Sequence, residues 1–217
     1  MVLQHIAKLN SQKRIILGSQ SPRRKELLQG LGLTIQCIAS TFEEQLDKSS
    51  FKTAALYAIE TATHKAIEVA LRCASEGGAQ PDLVIGADTV VEHGGVILEK
   101  PRDAAQAKEF LTRLSGEWHS VHTGVVLLLP KVQDPAGGSG PLVRTFSETT
   151  QVEFAPLQEA TIDAYVATGD SLDKAGAYGI QSLGGCLVRR LQGDYFTVMG
   201  FPLCRFSEEL TRSFLLG

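Results

Sequence analysis

The sequence predicts an α/β fold, and three observations support this class. A short apolar run at residues 15–17 is followed at once by a polar turn and a helix start. Over residues 53–76, apolar residues recur at three- and four-residue steps, which is typical of a long helix with one buried face. A continuous apolar stretch at residues 81–91 indicates a strand that is covered on both faces. Strands that alternate with helices in this way predict a layered α/β sheet.

Length, charge and cysteine spacing exclude several function classes. With 217 residues, the chain suits one domain over 1–217, in two lobes, with a core that needs no disulfides. The net charge of −3 argues against a nucleic-acid or membrane-surface binder, because such proteins usually carry a basic field. The four cysteines form no Cys-x-x-Cys pair, and no stretch reaches the ~18 apolar residues of a membrane span. We therefore expect a cytoplasmic protein with reduced thiols and neither a nucleic-acid nor a membrane partner.

The first helix start breaks an electrostatic rule. Ser21 is a good N-cap and Pro22 suits the first helical position, so a helix should begin here. Residues 23–25 then place three cations where the helix dipole is already positive. A phosphate chain would resolve this conflict, since it accepts bonds from free N–H groups, from the hydroxyls of Ser19 and Ser21, and from guanidinium groups. A solvated basic helix start is the alternative explanation.

Asp88 is the sharpest catalytic candidate in the sequence. It interrupts the apolar strand at 81–91, where a buried carboxylate is costly unless it is paired or bound to a metal. Acids at the ends of strands in open α/β sheets often lie where ligands bind, and we place Asp88 at such an end. The alternative is a structural acid that caps a neighbouring loop.

Several other polar residues are weaker candidates. Glu44 follows a short strand predicted at 34–38, and it matters only if the fold brings a metal to it. Lys65, in the long helix, is a phosphate candidate, although a solvated helix face is the more common explanation for such a lysine. Lys100 follows a hairpin whose turn is at 93–95. Three histidines lack metal-site spacing and are assigned no role: His64, His119 and His122.

The second half of the chain predicts further strands, helices and two glycine-rich loops. We expect helices over 103–116, 156–166 and 202–214, and strands over 118–129, 142–154 and 186–191. The loop at 134–141 lacks the lysine-serine/threonine pair of a Walker loop and suits a mobile connection. The loop at 172–185 has too many glycines for regular structure, so its backbone should approach a ligand or another backbone closely. This second loop carries Lys174 and Gln181.

Four motifs occur in a fixed order across the chain: Ser19-Gln20-Ser21-Pro22-Arg23-Arg24, Gly86-Ala87-Asp88-Thr89, Leu98-Glu99-Lys100-Pro101 and Lys174-Ala175-Gly176-Ala177-Tyr178-Gly179-Ile180-Gln181. Together they resemble the Maf family of nucleoside triphosphate pyrophosphatases. The resemblance implies an elongated, two-lobed α/β fold with a mixed sheet, similar to that of inosine triphosphate pyrophosphatases (Ham1 proteins). It also implies an active-site cleft between the lobes, and cleavage of a nucleoside triphosphate to the monophosphate and pyrophosphate.

The resemblance and the candidates above together give a predicted site. The catalytic set is Asp88, Glu44 and Lys100, in which Glu44 and Asp88 also hold a divalent metal. The substrate-binding set is Ser19, Ser21, Arg23, Arg24, Lys65, Thr89, Lys174 and Gln181. The expected metal is Mg²⁺, with Mn²⁺ or Co²⁺ as substitutes. Asp88 is expected to accept a proton from the water that attacks the α-phosphorus, and Gln181 to bond the base.

The last motif narrows the implied substrate. Its Gly-Ala-Tyr-Gly-Ile-Gln form resembles the branch that acts on dTTP and UTP and differs from the branch that acts on 7-methyl-GTP. One departure is Gln20, where many relatives have a smaller residue. The family also implies a homodimer. Two alternatives stay open: the 7-methyl-GTP activity, and a non-catalytic nucleotide sensor that regulates cell division.

Overall fold

A seven-stranded mixed sheet forms the centre of the protein, seen in a computed structural model that describes residues 1–77, 79–134 and 140–215. The strands are β1 (Ile15–Leu17), β2 (Gln36–Cys37), β3 (Leu83–His93), β4 (Val96–Leu98), β5 (Trp118–Gln133), β6 (Pro141–Phe154) and β7 (Val188–Gln192). The helices are α1 (Ile6–Gln12), α2 (Pro22–Gly30), α3 (Ala54–Ser75), α4 (Ala104–Leu114), α5 (Glu159–Ala167), α6 (Tyr195–Met199) and α7 (Leu203–Leu215). The strand order is β2-β1-β3-β5-β6-β7, with β4 paired to β3, which confirms the predicted α/β class.

Some predicted boundaries were wrong. Asp88 does not end its strand: β5 supplies an unbroken antiparallel partner from Val84 to Glu92, so β3 continues past it. The strand predicted at 34–38 is reduced to β2, and α5 begins at Glu159, three residues later than predicted. Helices α1 and α6 were not predicted. Most of the glycine-rich loop at 134–141 lies outside the described residues.

One edge of β3 is left open, and this is where the site forms. β1 runs parallel to β3 and pairs with it only as far as Leu17 opposite Ile85. β4 pairs with the same strand only from Val91 onward. Between these two partners, residues 86–90 pair only with β5 among the described strands. The turn that leaves β1 therefore delivers the start of α2 beside an unpaired stretch of β3.

Two hydrophobic cores meet at this open stretch. One core includes Ile85 and Ala87 of β3 together with the aromatic pair Phe201 and Phe206. The other includes Val91 and the residues that pack beneath the loop at 172–185. Along β3, Asp88 lies between residues of these two clusters, and the two lobes stay a prediction. None of the described helices combines the length and the apolar character needed to cross a bilayer.

Two glycines let α3 lie directly on the sheet. A Cβ atom at Gly86 would stand 2.3 Å from the Ala62 carbonyl oxygen, and one at Gly124 would stand 2.5 Å from the Ile59 nitrogen. No side chain fits at these distances, so only glycine permits the approach. Because Asp88 pairs with Gly124 across the strands, the same close packing brings the face of α3 that carries Lys65 against Asp88.

Candidate active site

A single cleft of about 400 Å³ collects every residue of the predicted site. The predicted site residues come from six separate parts of the chain: the turn before α2 with the first residues of that helix, the loop after β2, α3, β3, the end of the β3–β4 hairpin and the loop at 172–185. The predicted site residues that line it are Ser19, Ser21, Arg23, Arg24, Glu44, Lys65, Asp88, Thr89, Lys100, Lys174 and Gln181. Cations and acids that are far apart in the sequence therefore face one volume.

Lys65 joins the two acids of the cleft. Its Nζ atom lies 2.6 Å from Glu44 Oε1 and 2.8 Å from Asp88 Oδ1, and its side chain is only 12% exposed. The solvated-face explanation for Lys65 is therefore wrong. The reason is its position on α3: it lies four residues after Thr61 and four before Val69, both of which are buried on the sheet side.

The two acids differ in their readiness to ionise. Burial raises the pKa of Asp88, even though Lys65 and Arg24 favour its charged form. At Glu44, partial burial opposes ionisation, but Lys65, Lys100 and Arg24 together outweigh it and lower the pKa. A pair of carboxyl groups whose pKa values are pushed apart is the usual way to place an acid and a base in one site. Asp88 is the member suited to accept a proton.

The donor set of the cleft fits a hard divalent cation. The oxygens of Glu44 and Asp88 converge on one position, now taken by the Lys65 ammonium group. The described residues contain no cluster of three or more His, Cys, Asp or Glu side chains that could hold a metal by themselves. Mg²⁺ commonly binds through one or two carboxylates and takes its other ligands from water and phosphate. Two carboxylates in a cleft large enough for phosphate therefore suit Mg²⁺, which does not need a complete set of protein ligands.

Arg24 is a buried cation that no acid of the described residues contacts. Its Nε donates to the Gly200 carbonyl at 2.9 Å, Nη1 to Ser19 Oγ at 3.1 Å and Nη2 to Thr89 Oγ1 at 3.0 Å. Within the described chain, no carboxylate oxygen comes within ion-pair distance of this guanidinium group. Burial lowers the pKa of Arg24, and the nearby Asp88 only partly opposes the shift. A buried charge held by neutral acceptors alone is costly, and an anion in the cleft would remove that cost.

The start of α2 leaves its backbone donors free of side-chain caps. Ser21 occupies the N-cap position and Pro22 begins the helix, as predicted. The Ser21 hydroxyl makes no capping bond, whereas Ser19 Oγ accepts from the Ser21 N–H at 3.2 Å. The first-turn N–H groups of α2 therefore point toward the cleft without a side-chain partner, which is the arrangement that binds phosphate at helix N-termini.

Lys174 differs from Arg24 because its charge is already neutralised. Its Nζ atom lies 2.9 Å from Asp170 Oδ1 and 2.6 Å from Asp173 Oδ1, and it donates to the Asp170 carbonyl at 2.7 Å. All three ammonium protons are thus used inside the protein. Arg23 reaches the same acidic pair, with Nη1 at 3.1 Å from Asp173 Oδ2. The substrate-binding role of Lys174 stays a prediction, and its geometry is that of a structural ion pair.

The glycines of this loop serve packing of the protein on itself. A Cβ atom at Gly179 would stand 2.6 Å from Lys174 Cε, and one at Gly184 would stand 2.8 Å from the Gly179 nitrogen. Of the two explanations left open by the sequence, close approach of another part of the chain applies at these positions. Gly176 and Ala177 have φ angles of 67° and 63°, so two consecutive residues adopt the left-handed conformation here. That conformation is strained for alanine.

Lys100 and Gln181 line the cleft and make no hydrogen bond to any described residue. The neighbour of Lys100, Glu99, is firmly held, although no role was predicted for it. Glu99 accepts from Tyr57 Oη at 2.6 Å, pairs with Lys48 at 2.7 Å, and its carbonyl accepts from the Gly176 N–H at 3.2 Å. Glu99 thereby ties the segment that carries Lys100 to three other parts of the chain.

The histidines of β5 belong to separate environments. His119 Nε2 lies 2.8 Å from the hydroxyl of Tyr178, a residue that lines the cleft. Burial lowers the pKa of His119 to about 3, so this side chain is neutral near pH 7. His122 instead contacts Glu92 at 3.0 Å and Thr149 at 2.9 Å. The two rings share no site.

The geometry defines a class of protein before any comparison is made. It is an α/β protein whose cleft sets an uncompensated arginine and a helix start opposite a lysine-bridged pair of carboxylates, and such a cleft suits a phosphate chain with a metal. The chain belongs to the family of Maf-like proteins, whose model matches residues 14–213.

Relatives of this chain carry names that state an activity. It is 41% identical over 198 residues to a dTTP/UTP pyrophosphatase of Bacillus cytotoxicus, covering 91% of this chain and 94% of that protein. It is 40% identical over 211 residues to a dTTP/UTP pyrophosphatase of Bacillus cereus, covering 97% and 95%. A human protein described as a probable bifunctional dTTP/UTP pyrophosphatase/methyltransferase is 48% identical over 200 residues.

The match to the human protein covers 92% of this chain but 32% of the human protein, so most of that protein lies outside the comparison. Among solved structures, the Ham1 protein of Staphylococcus aureus aligns with 94% of this chain and 99% of its own, with a TM-score of 0.43 and 14% identity. The α/β fold of this chain is assigned from its own strands and helices.

Proposed function

We propose that this chain hydrolyses a nucleoside triphosphate, dTTP or UTP, to the nucleoside monophosphate and pyrophosphate. The observation that carries the proposal is the buried Arg24 guanidinium group, held by neutral oxygens alone and facing a cleft that also contains the Glu44–Lys65–Asp88 cluster. Relatives named dTTP/UTP pyrophosphatase match over at least 91% of this chain and support the same activity.

Asp88 is the proposed base of the reaction. Its raised pKa makes its carboxylate a better proton acceptor than an ordinary aspartate. As the water oxygen bonds to the α-phosphorus, Asp88 takes the water proton. The bond from the α-phosphorus to the bridging oxygen breaks, and pyrophosphate leaves with the electron pair. Before metal and substrate bind, Lys65 holds the Asp88 carboxylate through its 2.8 Å contact.

The cations of the cleft stabilise the phosphates. Arg24 and the first turn of α2 would hold one end of the chain, and Arg23 and Lys100 would neutralise charge on the leaving group. Glu44 and Asp88 would hold Mg²⁺, with Mn²⁺ or Co²⁺ as substitutes. When bound, the metal would neutralise phosphate charge and polarise the phosphoryl oxygens.

Gln181 is the proposed contact to the base. Its side-chain amide both donates and accepts, which suits the Watson–Crick edge of a pyrimidine, and it makes no hydrogen bond within the described chain. We also propose a cytoplasmic location, since the four cysteines are free, as in a reducing compartment. The homodimer implied by the family is a further proposal.

A panel of nucleotides tests the proposal directly. The purified chain is incubated with Mg²⁺ and dTTP, UTP, CTP or 7-methyl-GTP, and released pyrophosphate is measured. We expect release from dTTP and UTP, and a fall of roughly 10²-fold or more in the Asp88→Asn variant, the usual cost of removing a general base. Release from 7-methyl-GTP alone would favour the other branch, and tight binding without release would favour the sensor.

A further inference from the structure

A chain of hydroxyl groups with a fixed direction ends at Arg24. Thr123 is fully buried, and its Oγ1 donates to the Thr197 carbonyl at 2.8 Å. Because a hydroxyl has one proton, the 2.9 Å contact between Thr123 Oγ1 and Thr89 Oγ1 is a bond in which Thr89 donates. Thr89 Oγ1 then has only lone pairs to offer, and it accepts from Arg24 Nη2 at 3.0 Å.

We propose that Thr123 is a positioning residue for substrate binding, which acts by fixing the Thr89 hydroxyl as an acceptor for Arg24. The inference deepens the proposed function and rests on it. Thr123 lies beneath the cleft floor and touches no substrate. Its position comes from the sheet, since Thr89 and Thr123 are directly paired across β3 and β5.

The Thr89 hydroxyl matters because only a few hydrogen bonds orient the Arg24 guanidinium group. Three neutral oxygens hold the guanidinium group, and two of them, Ser19 Oγ and the Gly200 carbonyl, do not involve Thr123. Without Thr123 as acceptor, the Thr89 proton is free to rotate toward the guanidinium group, where it would repel the N–H donors. Nη2 of Arg24 would then lose its acceptor, and the guanidinium group would be less firmly oriented to bind a phosphate oxygen.

The chain contains a matched control for this bond. Thr150, on the neighbouring strand β6, is also fully buried, and its Oγ1 donates to the Asp194 carbonyl at 2.9 Å. The acceptors of Thr150 and Thr123 are Asp194 and Thr197. These are the first and last residues of one four-residue segment that includes the start of α6. Thr150 has no contact with Thr89 or Arg24. Thr150→Val therefore removes a buried hydroxyl of the same kind without affecting the cleft.

The experiment measures pyrophosphate binding by calorimetry in Mg²⁺ buffer, beside nucleotide hydrolysis. We expect Thr123→Val to weaken pyrophosphate affinity about tenfold, the size expected for loosening one charge-assisted hydrogen bond, and to raise KM more than it lowers kcat. Thr123→Ser, which keeps the hydroxyl, should restore affinity to within about twofold, and Thr150→Val should bind as the wild type does. In an Arg24→Met background, Thr123→Val should add nothing further.

Each result separates the inference from the proposed function. Equal pyrophosphate affinity in Thr123→Val and wild type, or an equal loss in Thr150→Val, would overturn the positioning role while hydrolysis by the wild type stands. If Thr123→Val fails to fold, the same comparison is made between Thr123→Ala and Thr123→Ser. If the wild type binds pyrophosphate and hydrolyses no nucleotide, the proposed reaction fails, but the Thr123 comparison still decides the positioning role. A wild type that does not bind pyrophosphate would overturn the positioning role, whereas the nucleotide panel still decides the proposed reaction.

Discussion

Two buried cations line the same cleft and differ in what neutralises them. Lys174 is enclosed by Asp170 and Asp173, and its three protons are all used within the protein. Arg24 is equally buried, but its partners are a carbonyl and two hydroxyls. Both positions carry a cation within a sequence motif, yet among the described residues only Lys174 has an acid paired with it.

The difference separates a structural cation from a ligand-binding cation. A buried ion pair that is complete is costly to break and has little charge to offer a substrate. A buried cation without a counterion lowers the stability of the free protein and is stabilised by the anion that the cleft receives. A substitution of Lys174 should therefore lower stability more than activity. A substitution of Arg24 should lower activity more than stability.

Arg24→Met carries the largest expected effect. We predict that kcat/KM for dTTP or UTP falls about 10³-fold, because removal of one preorganised charge from a phosphate-transfer site costs several kcal/mol in the transition state. Thermal unfolding should show equal or higher stability, since an uncompensated buried charge is removed. Steady-state kinetics and calorimetry check both halves; a fall below tenfold would contradict the assignment of Arg24.

Lys65→Met should change the pH dependence of the reaction. Loss of the ammonium group removes a charge that favours the Asp88 carboxylate, so the pKa of Asp88 rises further above its ordinary value. Asp88 must be deprotonated to accept a proton, and the acidic limb of the kcat/KM profile should therefore move to higher pH. We expect about a tenfold loss at neutral pH. Lys65→Arg keeps the charge as a control, and an unmoved limb in Lys65→Met would argue against Asp88 as the base.

Lys174→Met should affect stability more than activity. It leaves two carboxylates of the loop without their partner, so we predict that the free energy of unfolding falls by about 2 kcal/mol. Activity at saturating substrate, measured well below the unfolding temperature, should stay within about threefold. Lys108 is the matched control, because it also pairs with two acids, Glu159 and Asp163, but on the exposed surface. Lys108→Met should change stability little. A larger loss of stability in Lys108→Met than in Lys174→Met would contradict the structural role of Lys174.

Asp173→Asn carries the smallest expected effect. The carboxylate is 60% exposed and holds Arg23 at 3.1 Å, so it competes with a phosphate for that guanidinium group. Removing its charge should tighten pyrophosphate binding about twofold, as exposed ion pairs are weak. Asp163→Asn, outside the cleft, controls for net charge. Weaker binding in Asp173→Asn alone would mean that Asp173 orients Arg23 for the substrate.

Much of the fold could be predicted from local patterns. The long apolar stripe of α3, the buried strand β3 and the glycine turn before β4 each leave a strong signal over consecutive residues. Helices α1 and α6 were missed because they are short, at seven and five residues, and show no clear periodicity. Asp88 was placed at a strand end because the sequence does not reveal how far β5 extends as a partner.

The site residues that belong to a sequence motif could be predicted. Those whose position depends on packing between helices and strands were harder to predict. The arginines and Asp88 stand out as charges in places where local rules forbid them. The burial of Lys65 depends on which face of α3 meets the sheet, although its spacing from Thr61 and Val69 was a signal. Thr123 could not be found from the sequence, because its contact with Thr89 depends on strand register.

A crystal structure with Mn²⁺ and a non-hydrolysable dTTP analogue tests the central claim most directly. We predict that Mn²⁺, located by its anomalous peak, is bound by Glu44 and Asp88. Lys65 should be displaced from its bridging position between them, and phosphate oxygens should contact the Arg24 guanidinium group. Lys174 should keep its contacts with Asp170 and Asp173. Phosphates bound to Lys174, with Arg24 still held by neutral oxygens alone, would contradict it.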